Sequence, residues 1–118
     1  MTASDRLDWG HLAGDNIWQQ ASGVCYFVGG FISVKELILA LQEGKSVDGF
    51  LASFNQKITK GQVLAVMKFI QENTIAPIKE IFEYLENGRT VEEFLEFSSH
   101  TRAEVNAYFD FILKSLTA

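Results

Sequence analysis

The chain has 118 residues, of which 47% are hydrophobic, with one cysteine and a net charge of −5. This length holds one domain or two very small ones, and the single cysteine excludes an internal disulfide. No apolar run approaches the ~18 residues of a membrane span, and the N-terminus lacks the basic start and apolar core of a signal peptide. We therefore expect a cytoplasmic protein that makes no use of a membrane.

Residues 1–22 are polar with scattered apolar side chains, and they predict an extended arm with a short helix near residues 15–20. Residues 24–28 are β-branched or aromatic apart from one cysteine and end at a Gly-Gly pair, which is typical of a strand before a tight turn. Residues 31–32 would begin the second strand. A lone hairpin is marginally stable in water, so it needs a partner: the N-terminal arm, or the same ribbon of a second chain.

The rest of the chain contains one pattern twice. Residues 85–95 repeat residues 41–51 at an offset of 44, and after a loop two residues shorter the offset becomes 42. Four segments carry a Ser or Thr followed three positions later by Glu or Gln, the capping-box signature of a helix start. Gly44 and Gly88 stand where a left-handed residue ends a helix. Each copy is therefore predicted to form three helices.

These patterns predict a mainly α protein, in which a small N-terminal β-hairpin precedes two tandem trihelical, helix-turn-helix-like repeats. The expected units are the arm at 1–22, the hairpin with the first repeat at 23–73, and the second repeat at 74–118, packed as one compact body. An internal repeat determines architecture and leaves the function open.

Three short helices with the last one longest is the layout of helix-turn-helix DNA-binding domains. In the first repeat, the candidates for DNA contacts are Lys57, Lys60, Gln62 and Lys68. Nucleic-acid binders carry a basic face, whereas residues 1–73 have a net charge of −1 and the remainder −4. The alternative is that these side chains are only solvated, and any DNA binding is expected to be weak.

Five apolar residues are candidates for interfaces. The third helix of each copy carries an apolar stripe that faces its own core, and Phe69 and Phe111 lie outside that stripe at matching positions. They are expected between the two copies or against a partner. In the hairpin, Val24, Tyr26 and Val28 would form the contact of a homodimer built by strand pairing.

No arrangement of residues predicts catalysis, a cofactor or a metal site, and we do not expect an enzyme. His11 and His100 stand far apart with no cysteine nearby, and Cys25 lies in an apolar strand pattern that indicates burial rather than reactivity. The many glutamates of the second copy fit exposed helix faces, with a basic partner as the alternative reading.

The segment Gly-Val-Cys-Tyr-Phe-Val-Gly-Gly at 23–30, the repeat unit at 41–51 and the Thr59 helix start resemble the family of domains of unknown function numbered 433. The family implies a short hairpin before a homeodomain-like trihelical unit, often a dimer, and many members look like antitoxins of toxin–antitoxin pairs. Where the family has Gly-Thr-Arg, residues 29–31 read Gly-Gly-Phe, and where it has a proline the chain has Ser33.

The resemblance implies a non-enzymatic, antitoxin-like regulator that binds a protein partner, such as a toxin. Weak DNA binding through the first repeat is an open addition to this function. The alternative is an interaction or dimerisation module without DNA binding. A third reading is a small-ligand binder with a pocket between the copies.

Overall fold

The structure is a computed structural model that describes residues 17–19, 25–29, 32–54, 58–74 and 76–116. The described part of the chain is mainly helical, with a small two-stranded antiparallel hairpin ahead of the helices, as the sequence predicted. The elements are β1 (Ile17–Gln19), β2 (Cys25–Phe27), α1 (Val34–Gln42), α2 (Val47–Ala52), α3 (Lys60–Glu72), α4 (Ala76–Glu86), α5 (Val91–Phe97) and α6 (Arg102–Leu116). We call α1–α3 the first copy and α4–α6 the second copy.

The N-terminal arm supplies the partner strand of the hairpin. β1 pairs antiparallel with β2, with Trp18 opposite Tyr26, and the two rings stack with centroids 4.9 Å apart. The helix predicted near residues 15–20 was therefore wrong in this part. A helix of so few residues is marginal on its own, whereas the aromatic cross-strand pair stabilises the extended backbone.

The other side of β2 meets the chain just before α1. Phe27 N–H donates to the Ile32 carbonyl oxygen at 2.9 Å, and Tyr26 forms a single bridge with Ser33. The predicted second strand is thus reduced to this one bridge among the described residues. β2 has backbone partners on both sides, which leaves less open edge than an isolated ribbon has.

The local signals in the sequence explain where the helices begin and end. Capping boxes open α1, α3 and α5, and α6 begins in the same way, since Thr101 Oγ1 accepts from Glu104 N–H at 3.2 Å. Gly44 and Gly88 adopt φ values of 108° and 88°, each two positions after the last residue of α1 or α4. Both follow the Schellman pattern, in which the glycine N–H and the next N–H bond the last carbonyls of the helix.

The two copies pack around one hydrophobic core that contains buried residues of both. In each main contact, the first helix of one copy meets the third helix of the other. α3 packs on α4 and α1 packs on α6. Because α4 repeats α1 and α6 repeats α3, a pseudo-twofold relation interchanges these two pairs. Glu86 accepts from Gln71 in α3, and Gln42, the residue equivalent to Glu86, donates to Asn106 in α6.

Candidate functional site

The structure does not gather the predicted DNA-contacting residues into a basic face. Lys60 Nζ lies 3.4 Å from Asp48 Oδ1, and Gln62 is held by the cap of α3 and donates to the Val28 carbonyl oxygen at 2.8 Å. Lys68 is exposed about two turns further along α3. Lys57 lies outside the described residues. Two of the three described candidates therefore make intramolecular contacts, and the exposed Lys60–Asp48 ion pair is a weak one.

The predicted interface residues have different surroundings. Tyr26 is half-buried beside Trp18, and Val28 is 37% exposed at the hairpin turn. Phe69 and Phe111 are both half-buried and pack against the hydrophobic core. Val24 lies outside the described residues.

Cys25 is 2% exposed, and burial raises the pKa of its thiol above the ordinary value. A raised pKa leaves less thiolate, which is the reactive form of cysteine. Among the described residues, no group of three His, Cys, Asp or Glu side chains could hold a metal ion. Of the described helices, none is long and apolar enough to cross a membrane.

Each copy carries a cleft between its first and second helices. The first cleft, of about 240 Å³, is lined by Glu36, Leu39, Ala40, Glu43, Lys45, Phe50, Ser53 and Phe54. The second cleft, of about 360 Å³, is lined by Glu80, Glu83, Tyr84, Asn87, Phe94, Phe97 and Ser98. Every residue of the second cleft lies 44 positions after a residue of the first. The duplication has therefore produced two structurally equivalent clefts.

The second cleft differs from the first in size and chemistry because five of its positions have changed. The pairs, first cleft before second, are Leu39/Glu83, Ala40/Tyr84, Glu43/Asn87, Ser53/Phe97 and Phe54/Ser98. The second cleft has three aromatic rings where the first has two. Both have two carboxylates, but Glu83 replaces a leucine while Asn87 replaces Glu43. Phe97 is 74% exposed, by far the highest value among the exposed large hydrophobic side chains of the described residues.

The aromatic wall of the second cleft is held in place from behind. Tyr84 and Phe94 meet edge to face at 5.9 Å, and His100 stacks on Phe94 at 5.7 Å while its edge meets Tyr108 at 6.0 Å. In the first copy the position of His100 is occupied by the buried Ile58. The ring of His100 thus takes over a packing role and supports the cleft.

The charges around the second cleft are unevenly paired. Arg89 lies over the Tyr84 ring at 5.6 Å and forms an ion pair with Glu93 at 3.6 Å. Glu80 and Glu83 line the cleft and have no ion-pair partner among the described residues. The cleft therefore combines an apolar, aromatic wall with two carboxylates that form no ion pair within the described part of the chain.

Glu80 and Glu83 belong to the glutamates of the second copy that the sequence predicts on exposed helix faces, and no local sequence pattern singles out Phe97. The signal was nevertheless present, because the alignment at offset 44 shows a serine replaced by phenylalanine and a leucine replaced by glutamate. What the alignment alone lacked was the packing of α4 against α5, which brings these positions to one cleft.

Comparison of the chain with protein-family models, curated proteins and solved structures gives no match. The resemblance to the family numbered 433 stays a prediction from sequence.

Proposed function

We propose that this chain is a non-enzymatic protein-interaction module that binds a protein partner at the second cleft. The observation that carries the proposal is the exposure of Phe97 at a concave, aromatic-walled site. Aromatic side chains that stand beside a pocket are typical anchors of protein interfaces. The equivalent position in the first copy is Ser53, so the fold itself does not require an aromatic ring there.

This function is the protein-binding part of the antitoxin-like regulator that the sequence resemblance implies, and a toxin is one partner of that kind. DNA binding through the first repeat is less favoured. Lys60 would have to leave Asp48, and Gln62 is tied to both its helix cap and the hairpin turn. With a net charge of −5, the chain also lacks the long-range attraction to DNA that a basic protein has.

The test begins with co-purification from the source organism, followed by purification of the recovered partner and calorimetric titration with the full chain. Phe97→Ser, which installs the residue of the first copy, should weaken binding at least about tenfold, as loss of a hot-spot aromatic does. It should leave the thermal midpoint of the free chain unchanged, because most of the Phe97 side chain is in solvent.

The matched control is Leu39→Ser, which removes an exposed apolar side chain from the first cleft. We expect it to bind with wild-type affinity. A partner that binds Phe97→Ser as tightly as wild type, or that is lost with Leu39→Ser instead, would contradict the assignment to the second cleft.

A further inference from the structure

We infer that the second cleft recognises an arginine side chain presented by the partner. This inference rests on the proposed function and specifies the chemistry of its ligand. It is carried by three properties of the cleft: polar groups that accept hydrogen bonds, rings on which a planar cation stacks, and a size that suits one side chain.

The ionised groups of the cleft wall are acceptors. The carboxylates of Glu80 and Glu83 stand one helical turn apart on α4, both without an ion-pair partner among the described residues. Asn87 Nδ2 is already occupied, since it donates to the Glu83 carbonyl oxygen at 2.8 Å. A guanidinium group has five N–H donors and no acceptor, and it binds carboxylates through paired hydrogen bonds. The cleft and an arginine are therefore complementary in both charge and hydrogen bonding.

The aromatic side chains favour the same ligand. Guanidinium groups stack on aromatic faces, and cations are attracted to these faces within about 6 Å of the ring centroid. The chain's own Arg89 shows this geometry at the Tyr84 ring. Phe94 and Phe97 line the same cleft and offer further ring surface to the apolar stem of an incoming arginine.

The volume of the second cleft is about 360 Å³, at the lower end of the roughly 300–1,000 Å³ typical of ligand sites. This is room for a side chain rather than for a large cofactor. A second copy of this chain is disfavoured as the occupant. Residues 74–118 carry a net charge of −4, so two such faces would repel each other.

The first cleft is also lined by two carboxylates, but that of Glu36 is engaged in the capping box of α1, which leaves Glu43 as the other acceptor. Leu39 occupies the position of Glu83, Ala40 the position of Tyr84, and Lys45 lines the cleft with a positive charge. It therefore serves as an internal reference within the same molecule.

The test is a titration of the ¹⁵N-labelled full chain with N-acetyl-arginine amide, in which NMR spectra monitor the backbone amide chemical shifts. We expect saturable shifts confined to residues 80–98, with weaker binding of N-acetyl-lysine amide and no saturable binding of the neutral N-acetyl-citrulline amide. Glu83→Leu, which installs the residue of the first cleft, should weaken arginine binding about fivefold, as loss of an exposed ion pair with good geometry does.

The matched control is Glu96→Ala, which also installs the residue of the first copy and removes one negative charge, but from outside the cleft. It should change the affinity less than twofold. If Glu83→Leu does not fold, Glu80→Gln replaces it with the same expectation. Shifts that are absent from the cleft, equal for citrulline, or unaffected by Glu83→Leu and Glu80→Gln would overturn the inference.

The same variants separate this inference from the proposed function. If the natural partner binds Phe97→Ser more weakly but binds Glu83→Leu as tightly as wild type, the interaction site stands and the arginine inference is wrong. If the partner binds both variants with wild-type affinity, the second cleft is not its binding site.

Discussion

Gln71 Nε2 donates to Glu86 Oε1 over 2.9 Å and to the Phe82 carbonyl oxygen at 3.4 Å, and these bonds join the last helix of the first copy to the first helix of the second. Gln71 is only 8% exposed, so its amide is shielded from water. In the related pair of helices, α1 and α6, Gln42 is the residue equivalent to Glu86, and its Nε2 donates to Asn106 Oδ1 at 3.2 Å. The duplicated units are thus joined twice, by related helices but with different chemistry.

This relationship predicts an asymmetry between the two contacts. Gln71→Ala should destabilise the chain by about 1–3 kcal/mol, because the buried Phe82 carbonyl and the half-buried Glu86 carboxylate lose a donor. Gln42→Ala at the less buried contact should cost only about 0.5–1.5 kcal/mol. Urea unfolding of the two variants measures the difference. Equal losses would show that burial does not distinguish the two contacts.

The two helix-ending glycines are expected to behave alike. A Cβ added at Gly88 would meet nothing within 4 Å, and one at Gly44 would lie at an ordinary 3.8 Å from Glu92 Cγ. Gly→Ala at each position should therefore lower the free energy of unfolding by about 1–2 kcal/mol, because alanine is strained in the left-handed backbone conformation. Gly61→Ala, inside the first turn of α3, is the control and should stabilise by about 0.5–1 kcal/mol. The midpoints of denaturant unfolding measure the stability of the three variants. A Gly88→Ala variant as stable as wild type would contradict the prediction.

Glu104 predicts a dependence of stability on pH. Its hydrogen bond from the Thr101 backbone N–H, helped by the nearby His100, holds the pKa of Glu104 below its ordinary value. Its ionised form therefore stabilises the fold fully above the unfolded pKa of about 4.3, and this contribution is lost as pH falls through the lower folded value.

Glu104→Gln keeps the capping geometry, as Gln62 shows at the equivalent position in the first copy, but removes the charge. We expect it to melt below wild type at pH 7 and together with wild type near pH 2.5. Glu96→Gln, in the last turn of α5, should show no such convergence. A Glu104→Gln deficit that persists undiminished in acid would contradict the assignment.

The DNA hypothesis of the first repeat has its own test. Any binding of duplex DNA should be weak, and its fall between 50 and 200 mM salt should be modest, because few lysines are placed to meet phosphates and the salt slope grows with the number of such contacts. Fluorescence anisotropy with labelled duplexes measures this, with Lys57→Glu/Lys60→Glu as the variant. If wild type binds DNA tightly at the higher salt and the double variant does not, the helix-turn-helix assignment is correct.

The sequence predicted those parts of the fold that depend on neighbouring residues. Local hydrogen bonds between residues a few positions apart determine where the helices begin and end. They fix the helix starts at Ser33, Thr59 and Thr90 and the turns at Gly44 and Gly88. β1 could not be predicted in this way, since its conformation depends on pairing with β2 and on the Trp18–Tyr26 stack.

The candidate site was less accessible to sequence reasoning for a related reason. A cleft arises only when two helices pack, and neither Phe97 nor Glu83 carries a signal within its own helix that distinguishes it from a surface residue. The repeat provides the missing comparison, because it shows which residue the first copy has at the positions of Glu83 and Phe97.

The central claim is that a partner contacts Phe97 in the second cleft, and site-specific photo-crosslinking tests it most directly. Benzoylphenylalanine is introduced in place of Phe97, or in place of Ser53 at the equivalent position of the first cleft, and the protein is irradiated in cells of the source organism. We predict one protein adduct from position 97, with an arginine in the cross-linked segment, and a lower yield of this adduct when Glu83→Leu is added. No adduct at position 97, or the same adduct at both positions, would contradict the account.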